Sequence, residues 1–288
     1  MAYLIICMGK RVQSPSSINV YKQCPRKYYY QYILKLDTLP SIHTLRGNIA
    51  HSVLENFFDA DLSMLNIKNF REPLQKRIQQ LLIKHWKEKQ KELHELGLSQ
   101  DQLAFYFEET MMMLLNWYEK LVQKVKSFSD LSFQEIFKKL TPLRELEYQS
   151  HKYAVRGFID AIEEMEGKRR LMDYKTSKRF HITEEYKLQL AIYALLYQEK
   201  HGVIPDQVGI YFLKDTDKHE HTMQVDPELI NWAKREVAFV HEMTESDHVD
   251  DYPKNISPLC KYSTGQCDFY ERCFHQKIMD EFVQIKTD

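Results

Sequence analysis

Residues 157–175 read GFIDAIEEMEGKRRLMDYK. Two β-type runs flank a turn, and each carries one aspartate among apolar neighbours. Asp160 follows Phe158 and Ile159; Asp173 follows Leu171 and Met172. A two-residue turn at Glu166–Gly167 suits this stretch, because Gly167 supplies the positive φ that tight hairpin turns need. Glu164 then faces Arg169 and Glu163 faces Arg170, two opposite-charge pairs that favour the register. The same register sets Asp160 opposite Asp173, with Cβ atoms about 4.5–5.5 Å apart.

Carboxylates that close repel each other, and burial adds to the cost. A cation between them removes both penalties. Oxygen ligands point to Mg²⁺ or Mn²⁺ rather than to zinc or copper. Lys175 lies two residues past Asp173 and so projects to the same face, beside the carboxylates. A surface hairpin of solvated charges would have polar neighbours instead, and these aspartates have apolar ones.

Around this hairpin the chain divides into recognisable stretches. SPSSINVYKQCPRKYYYQYI predicts a helix capped by Ser16 or Ser17 and running to Ile33, with a kink or break at Pro25. A second helix is expected from about Arg46, carrying Ile49, Val53, Leu54, Phe57 and Phe58 at helical spacing. Residues 59–140 read as an almost continuous helical insertion with a turn near Gly97 and Ser99. β-type alternation returns from Leu143 to Tyr174. Thr183 caps a helix that Gly202 ends. DQVGIYFL and EHTMQV are strands, and Pro227 opens a helix in a favourable first-turn position. The expected partition is 1–58, the first part of the core; 59–140, the insertion; 141–249, the rest of the core; and 250–288, a cysteine-bearing tail. The resulting fold class is α/β, a mixed central sheet flanked by helices.

Several motifs resemble the PD-(D/E)XK nuclease superfamily, in particular its RecB-type members. Asp160 with Asp173-Tyr174-Lys175 matches the acidic residue and D-x-K element. RGNIAHSVLE, with His51, is similar to the N-terminal helix motif in which a histidine joins the metal site. RGFIDAI is similar to the G-x-x-D strand, with Gly157 and Asp160. QLAIY is similar to the Q-x-x-x-Y helix motif and sets Gln189 and Tyr193 one turn apart. Cys24 before the first motif and Cys260, Cys267 and Cys273 near the end resemble the iron–sulfur branch, which includes AddB-type domains and CRISPR-adaptation nucleases. The order of these motifs spans Cys24 to Cys273.

The resemblance implies a restriction-endonuclease-like fold and metal-dependent hydrolysis of DNA phosphodiester bonds, with single-strand exonuclease action in repair, recombination or CRISPR adaptation. His51, Asp160, Asp173 and the Tyr174 carbonyl would bind Mg²⁺ or Mn²⁺. Lys175 would position or deprotonate water or offset transition-state charge. Gln189 and Tyr193 would orient substrate or Lys175, and Glu55 would join His51 or orient it. A [4Fe-4S] cluster on the four cysteines would tie the first helix to the tail. Six residues separate Cys260 from Cys267 and five separate Cys267 from Cys273, a wider first interval than the branch usually shows. Zinc sites favour tighter pairs, so the spacing suits a cubane cluster better. A non-catalytic DNA-binding or assembly subunit of a larger complex is the second reading.

Composition bounds the rest. The chain has 288 residues, 43% of them apolar, with 40 basic and 41 acidic residues. A nucleic-acid partner must therefore be held by a local patch or through metal ions. Lys178 and Arg179, just past the hairpin, are placed to touch phosphate. Arg26 and Lys27 interleave with Tyr28, Tyr29, Tyr30 and Tyr32; those tyrosines either stack bases or pack a helix on the core. No apolar run is long enough to span a membrane, and the opening MAYLIICMGK reads as a buried strand rather than a signal peptide, with Cys7 a core residue. Five cysteines without an export signal suggest a reducing, cytoplasmic setting. No phosphate-binding loop of ATPase type is present, so any motor would be a separate helicase.

Overall fold

A computed structural model describes residues 11–274 apart from Glu166 and Thr264. The expected opening strand and Cys7 lie outside the described residues. The chain folds as two units. One holds the segment ending at Leu39, His151–Arg156 and the segment starting at Lys234; the other holds Pro40–Ser150 and Gly157–Ala233.

The second unit contains most of a five-stranded sheet in the order β1 (Leu143–Ser150), β2 (Val155–Met165), β3 (Lys168–Lys175), β4 (Gln207–Phe212) and β5 (Glu220–Gln224). β2 and β3 form the antiparallel hairpin, with Met165 opposite Lys168, Glu164 opposite Arg169, Glu163 opposite Arg170 and Ala161 opposite Met172. Gly167 adopts φ +74°. The turn and the charge pairs thus set the register as the sequence predicts. β3 and β4 are parallel and β4 and β5 antiparallel, so the sheet is mixed.

Helix α8 (Glu184–His201) makes the crossover that parallel β3 and β4 require. Thr183 caps it, and Gly202 ends it in the left-handed region at φ +72°. Helices α3 (Ile42–Phe57), α4 (Arg71–Glu88), α5 (Gln90–Glu95), α6 (Gln100–Lys126) and α7 (Phe133–Leu140) form the helical stretch. Their apolar faces do not close on themselves. Ile49, Leu54, Phe57, Leu82, Trp117 and Phe137 share one buried cluster with Ala161, Met172, Tyr174 and Tyr211 of the sheet. Every second residue of β3 therefore faces this core, which sends Asp173 and Lys175 to the opposite face.

α3 begins earlier than the apolar spacing suggests. Ser41 caps it, its hydroxyl accepting the His43 N–H, and the buried Ile42 and Leu45 extend the apolar stripe back from Ile49.

The first unit opens with α1 (Pro15–Gln23) and α2 (Pro25–Tyr28). Ser14, not Ser16 or Ser17, caps α1: Ser14 and Ser17 bond each other's backbone N–H reciprocally, and Pro15 takes the first position, where no N–H is needed. Pro25 forces Cys24 into extended backbone, φ −162° and ψ 111°, which breaks the helix there. A π-helical turn, Tyr29–Ile33, follows. Tyr28, Tyr29 and Tyr30 are buried, with Tyr28 stacked on Tyr252 and Tyr30 against Phe269. These three rings pack the interior and do not offer bases a stacking surface. α9 (Pro227–Met243) starts at the proline the sequence marks.

Candidate active site

The hairpin, α3, α8 and β1 converge on one group of polar side chains. Asp173 is 2% exposed and Asp160 7%. Lys175 Nζ lies 2.6 Å from Asp173 Oδ2. Gln189 on α8 donates from Nε2 to Asp173 Oδ1 at 2.8 Å and to the Tyr193 hydroxyl at 2.7 Å. Gln189 and Tyr193 thus hold Asp173 rather than Lys175. Tyr193 also explains Gly157: a Cβ there would stand 3.1 Å from the Tyr193 ring.

Asp160 serves two partners. Its Oδ2 accepts the Tyr174 backbone N–H at 2.8 Å, and the same atom is 3.3 Å from His51 Nδ1. Glu145 Oε1, from β1, is 3.8 Å from that nitrogen. His51 Nε2 is 2.9 Å from the Tyr174 carbonyl oxygen. His51, Glu145 and Asp160 bring donor atoms within 4.8 Å of one another. Asp173 stands beside this trio with its oxygens engaged by Lys175 and Gln189. Glu55 is outside the trio, though near enough to Glu145 for burial and then that charge to push its carboxyl up.

Electrostatics follow from crowding. Burial raises the Asp173 carboxyl, Asp160 adds to the rise, and Lys175 and His51 oppose it. Burial works against the His51 imidazolium, but Asp160, Glu145 and Asp173 outweigh it and push His51 up to about 10. Lys175 also rises: burial disfavours its charge, and Asp173 and Asp160 overcome that. Asp173 and Asp160 therefore hold the Lys175 ammonium, while Asp160 and Glu145 hold the His51 proton, which offsets the excess negative charge. Two carboxylate oxygens and an imidazole nitrogen at this spacing are a donor set for a hard divalent ion, which would displace that proton.

Glu145 carries no distinguishing mark in the sequence. LRELEYQS offers Glu145 and Glu147 on an alternating strand, and no local spacing tells them apart. The structural mark is backbone strain: Glu145 has φ +46°, unusual for a residue with a Cβ.

In the first unit, Cys24, Cys260, Cys267 and Cys273 are free thiols lining one pocket. The Cys267 N–H donates to the Cys260 carbonyl at 2.9 Å, tying the wide interval together. Arg26 spends its Nε on the Tyr252 carbonyl at 2.7 Å, and Lys27 reaches Gln23 at 3.5 Å. Lys178 and Arg179, by contrast, are exposed.

A mixed sheet presenting paired acids and a lysine at a hairpin, with a histidine from a neighbouring helix, is the arrangement of a metal-dependent nuclease. The sequence pattern of the PD-(D/E)XK nuclease superfamily matches residues 13–274, and the chain belongs to that superfamily. Nucleases of this superfamily use divalent metal ions. The chain is 25% identical over 159 residues to a CRISPR-associated exonuclease Cas4 of Francisella tularensis subsp. novicida, a match covering 53% of this chain and 70% of that one. A Eubacterium rectale protein assigned as an exonuclease has the same fold, with TM-score 0.50, 11% identity, and coverage of 90% of this chain and 89% of that one. Among the described residues no helix is long and apolar enough to cross a membrane.

Proposed function

We propose that the protein is a Mg²⁺- or Mn²⁺-dependent DNA exonuclease acting on single strands, in DNA repair, recombination or CRISPR adaptation. The observation that carries this reading is the convergence of His51, Glu145 and Asp160 within 4.8 Å, beside the Asp173–Lys175 pair at 2.6 Å. The likeness to a Cas4 exonuclease supports the exonuclease and CRISPR parts of it. Adaptation proteins or a separate helicase are the partners that fit, and free thiols suit the cytoplasm.

His51, Glu145 and Asp160 would hold the ion, with Asp173 and the Tyr174 carbonyl completing the set. A bound divalent ion supplies Lewis acidity that activates water and offsets charge on the phosphate. Lys175, kept as an ammonium by its two acidic neighbours, donates to water or to a phosphate oxygen and balances transition-state charge. Gln189 and Tyr193 keep Asp173 in place. The four cysteines would carry a [4Fe-4S] cluster whose role is structural, joining the α1–α2 break to the tail.

Asp173→Ala and Lys175→Ala are each expected to abolish cleavage of end-labelled single-stranded DNA with Mg²⁺ or Mn²⁺. Retained cleavage in either folded variant overturns the assignment. Comparing linear with circular strands shows whether an end is required.

A further inference from the structure

A second charged constellation sits on α3, five residues before His51. Arg46 is 2% exposed. Its Nη1 bonds Glu109 on α6, and the guanidinium lies 5.3 Å from the centre of the Tyr106 ring. Its Nε is buried without a hydrogen-bond partner among the described residues. Lys214, two residues past the end of β4, places Nζ 2.6 Å from the other Glu109 oxygen. Lys178 lies three residues past Lys175, and the Leu213 N–H donates to the Lys175 carbonyl at 3.0 Å. Lys178 and Lys214 therefore leave the sheet at the same end as Lys175.

One carboxylate thus holds two cations, Arg46 and Lys214, with the exposed Lys178 close enough for its charge to act on Lys214. Burial, then the charges of Arg46 and Lys178, hold Lys214 down to about 8 even with Glu109 at 2.6 Å. His43, a turn earlier on α3, is lowered by burial and by the same three cations. As a strut between α3 and α6, the Arg46–Glu109 pair would suffice. Lys214 takes the second Glu109 oxygen, and with Lys178 it brings more positive charge than one carboxylate neutralises.

We propose that Arg46, Lys178 and Lys214 form a phosphate subsite that receives a phosphate of the substrate strand next to the scissile one. This rests on the nuclease reading above. Five residues along α3 is about 7.5 Å of axial rise, on the order of one or two nucleotide steps. The exposed Lys178 and the ammonium of Lys214 offer donors to phosphate oxygens, and the buried Arg46 guanidinium adds its fixed charge and an unpartnered Nε–H beneath them. Glu109 holds the cations together and competes with the phosphate for them.

The test uses the full chain with Mn²⁺ and a 3′-labelled oligothymidylate, measuring cleavage kinetics and anisotropy at several salt concentrations. Lys178→Gln, Lys214→Gln and Arg46→Gln should each raise KM about tenfold, by more than any fall in kcat, and lower the salt slope by about 0.7. Glu109→Gln should act in the opposite direction and tighten binding, which a structural strut does not predict. Circular strands and linear strands with a phosphate or hydroxyl end tell a backbone phosphate from a terminal one: equal penalties indicate the backbone, and penalties confined to phosphorylated ends indicate a terminus. Either pattern supports the subsite. Unchanged KM and salt slope in folded Lys178→Gln and Lys214→Gln, or weaker binding in Glu109→Gln, overturns it while leaving the nuclease reading intact. Binding that responds as stated, with no cleavage by the wild type, upholds the subsite and removes the nuclease reading.

Discussion

The carboxylate of Asp160 accepts the backbone N–H of Tyr174 at 2.8 Å. It lies one residue past the last main-chain pair of the hairpin, Ala161 opposite Met172. A side chain thus closes the ladder where the next strand pair would fall, and it draws the carboxylate towards His51. Asp160→Asn keeps an acceptor for that N–H but removes the charge. It should cut cleavage by two orders of magnitude or more while leaving the unfolding midpoint nearly unchanged. Asp160→Ala should lose cleavage and also about 1–3 kcal/mol of stability in urea titration, because a buried N–H is left without a partner.

Gln189 holds Asp173 through one hydrogen bond and Tyr193 through another. Gln189→Ala should lower kcat roughly tenfold with little change in KM, since it loosens a positioned carboxylate and not a binding contact. Gly157→Ala should mimic this by another route. Its added methyl group would press on the Tyr193 ring from 3.1 Å, so kcat falls and a crystal structure of the variant shows Tyr193 displaced from Asp173.

Glu145 reaches the His51 nitrogen that also faces Asp160. Glu145→Gln should weaken Mn²⁺ binding about 10- to 100-fold by calorimetry. Losing even a partner outside the ligand set typically costs about this much, and losing a ligand should cost no less.

His51 titrates near 10 in the folded, ion-free chain and near 6.5 when unfolded. Its folded value is the higher, so the stability it contributes is fully present below about pH 6.5 and is lost as pH rises through about 10. Thermal unfolding without metal should show this decline, and His51→Gln should flatten it. Metal binding at pH 8 should release close to one proton, visible as a dependence of binding enthalpy on the buffer.

The cysteine pocket leads to a spectroscopic expectation. Protein purified without oxygen should be brown and contain about four irons per chain. Cys267→Ser should bleach it and destabilise the fold. Colourless protein with stoichiometric zinc would contradict the cluster.

Much of the fold is legible in the sequence because its determinants are local. The hairpin register follows from Gly167 and from charges directly across from each other, Glu163 with Arg170 and Glu164 with Arg169. The bounds of α8 follow from Thr183 and Gly202, and the start of α9 from Pro227. The caps Ser14 and Ser41 lie a few residues from where spacing places them, because hydrogen bonds compete within a single turn. The buried tyrosines, Tyr28 to Tyr30, show the limit of composition: an aromatic and basic stretch reads the same whether it faces solvent or packs inward.

By itself the sequence determined the order of elements, the pairing of β2 with β3, and the presence of two acids and a lysine at one hairpin. Periodicity, turn chemistry and charge act over a few residues, so they can be read from neighbours. Only tertiary packing decided that Glu145 joins His51 and Asp160, that Gln189 serves Asp173, and that Arg46 and Lys214 share Glu109. Each of those meetings joins residues far apart in the chain, and their positions are set by how helices and sheet bury a common core, which no local spacing encodes.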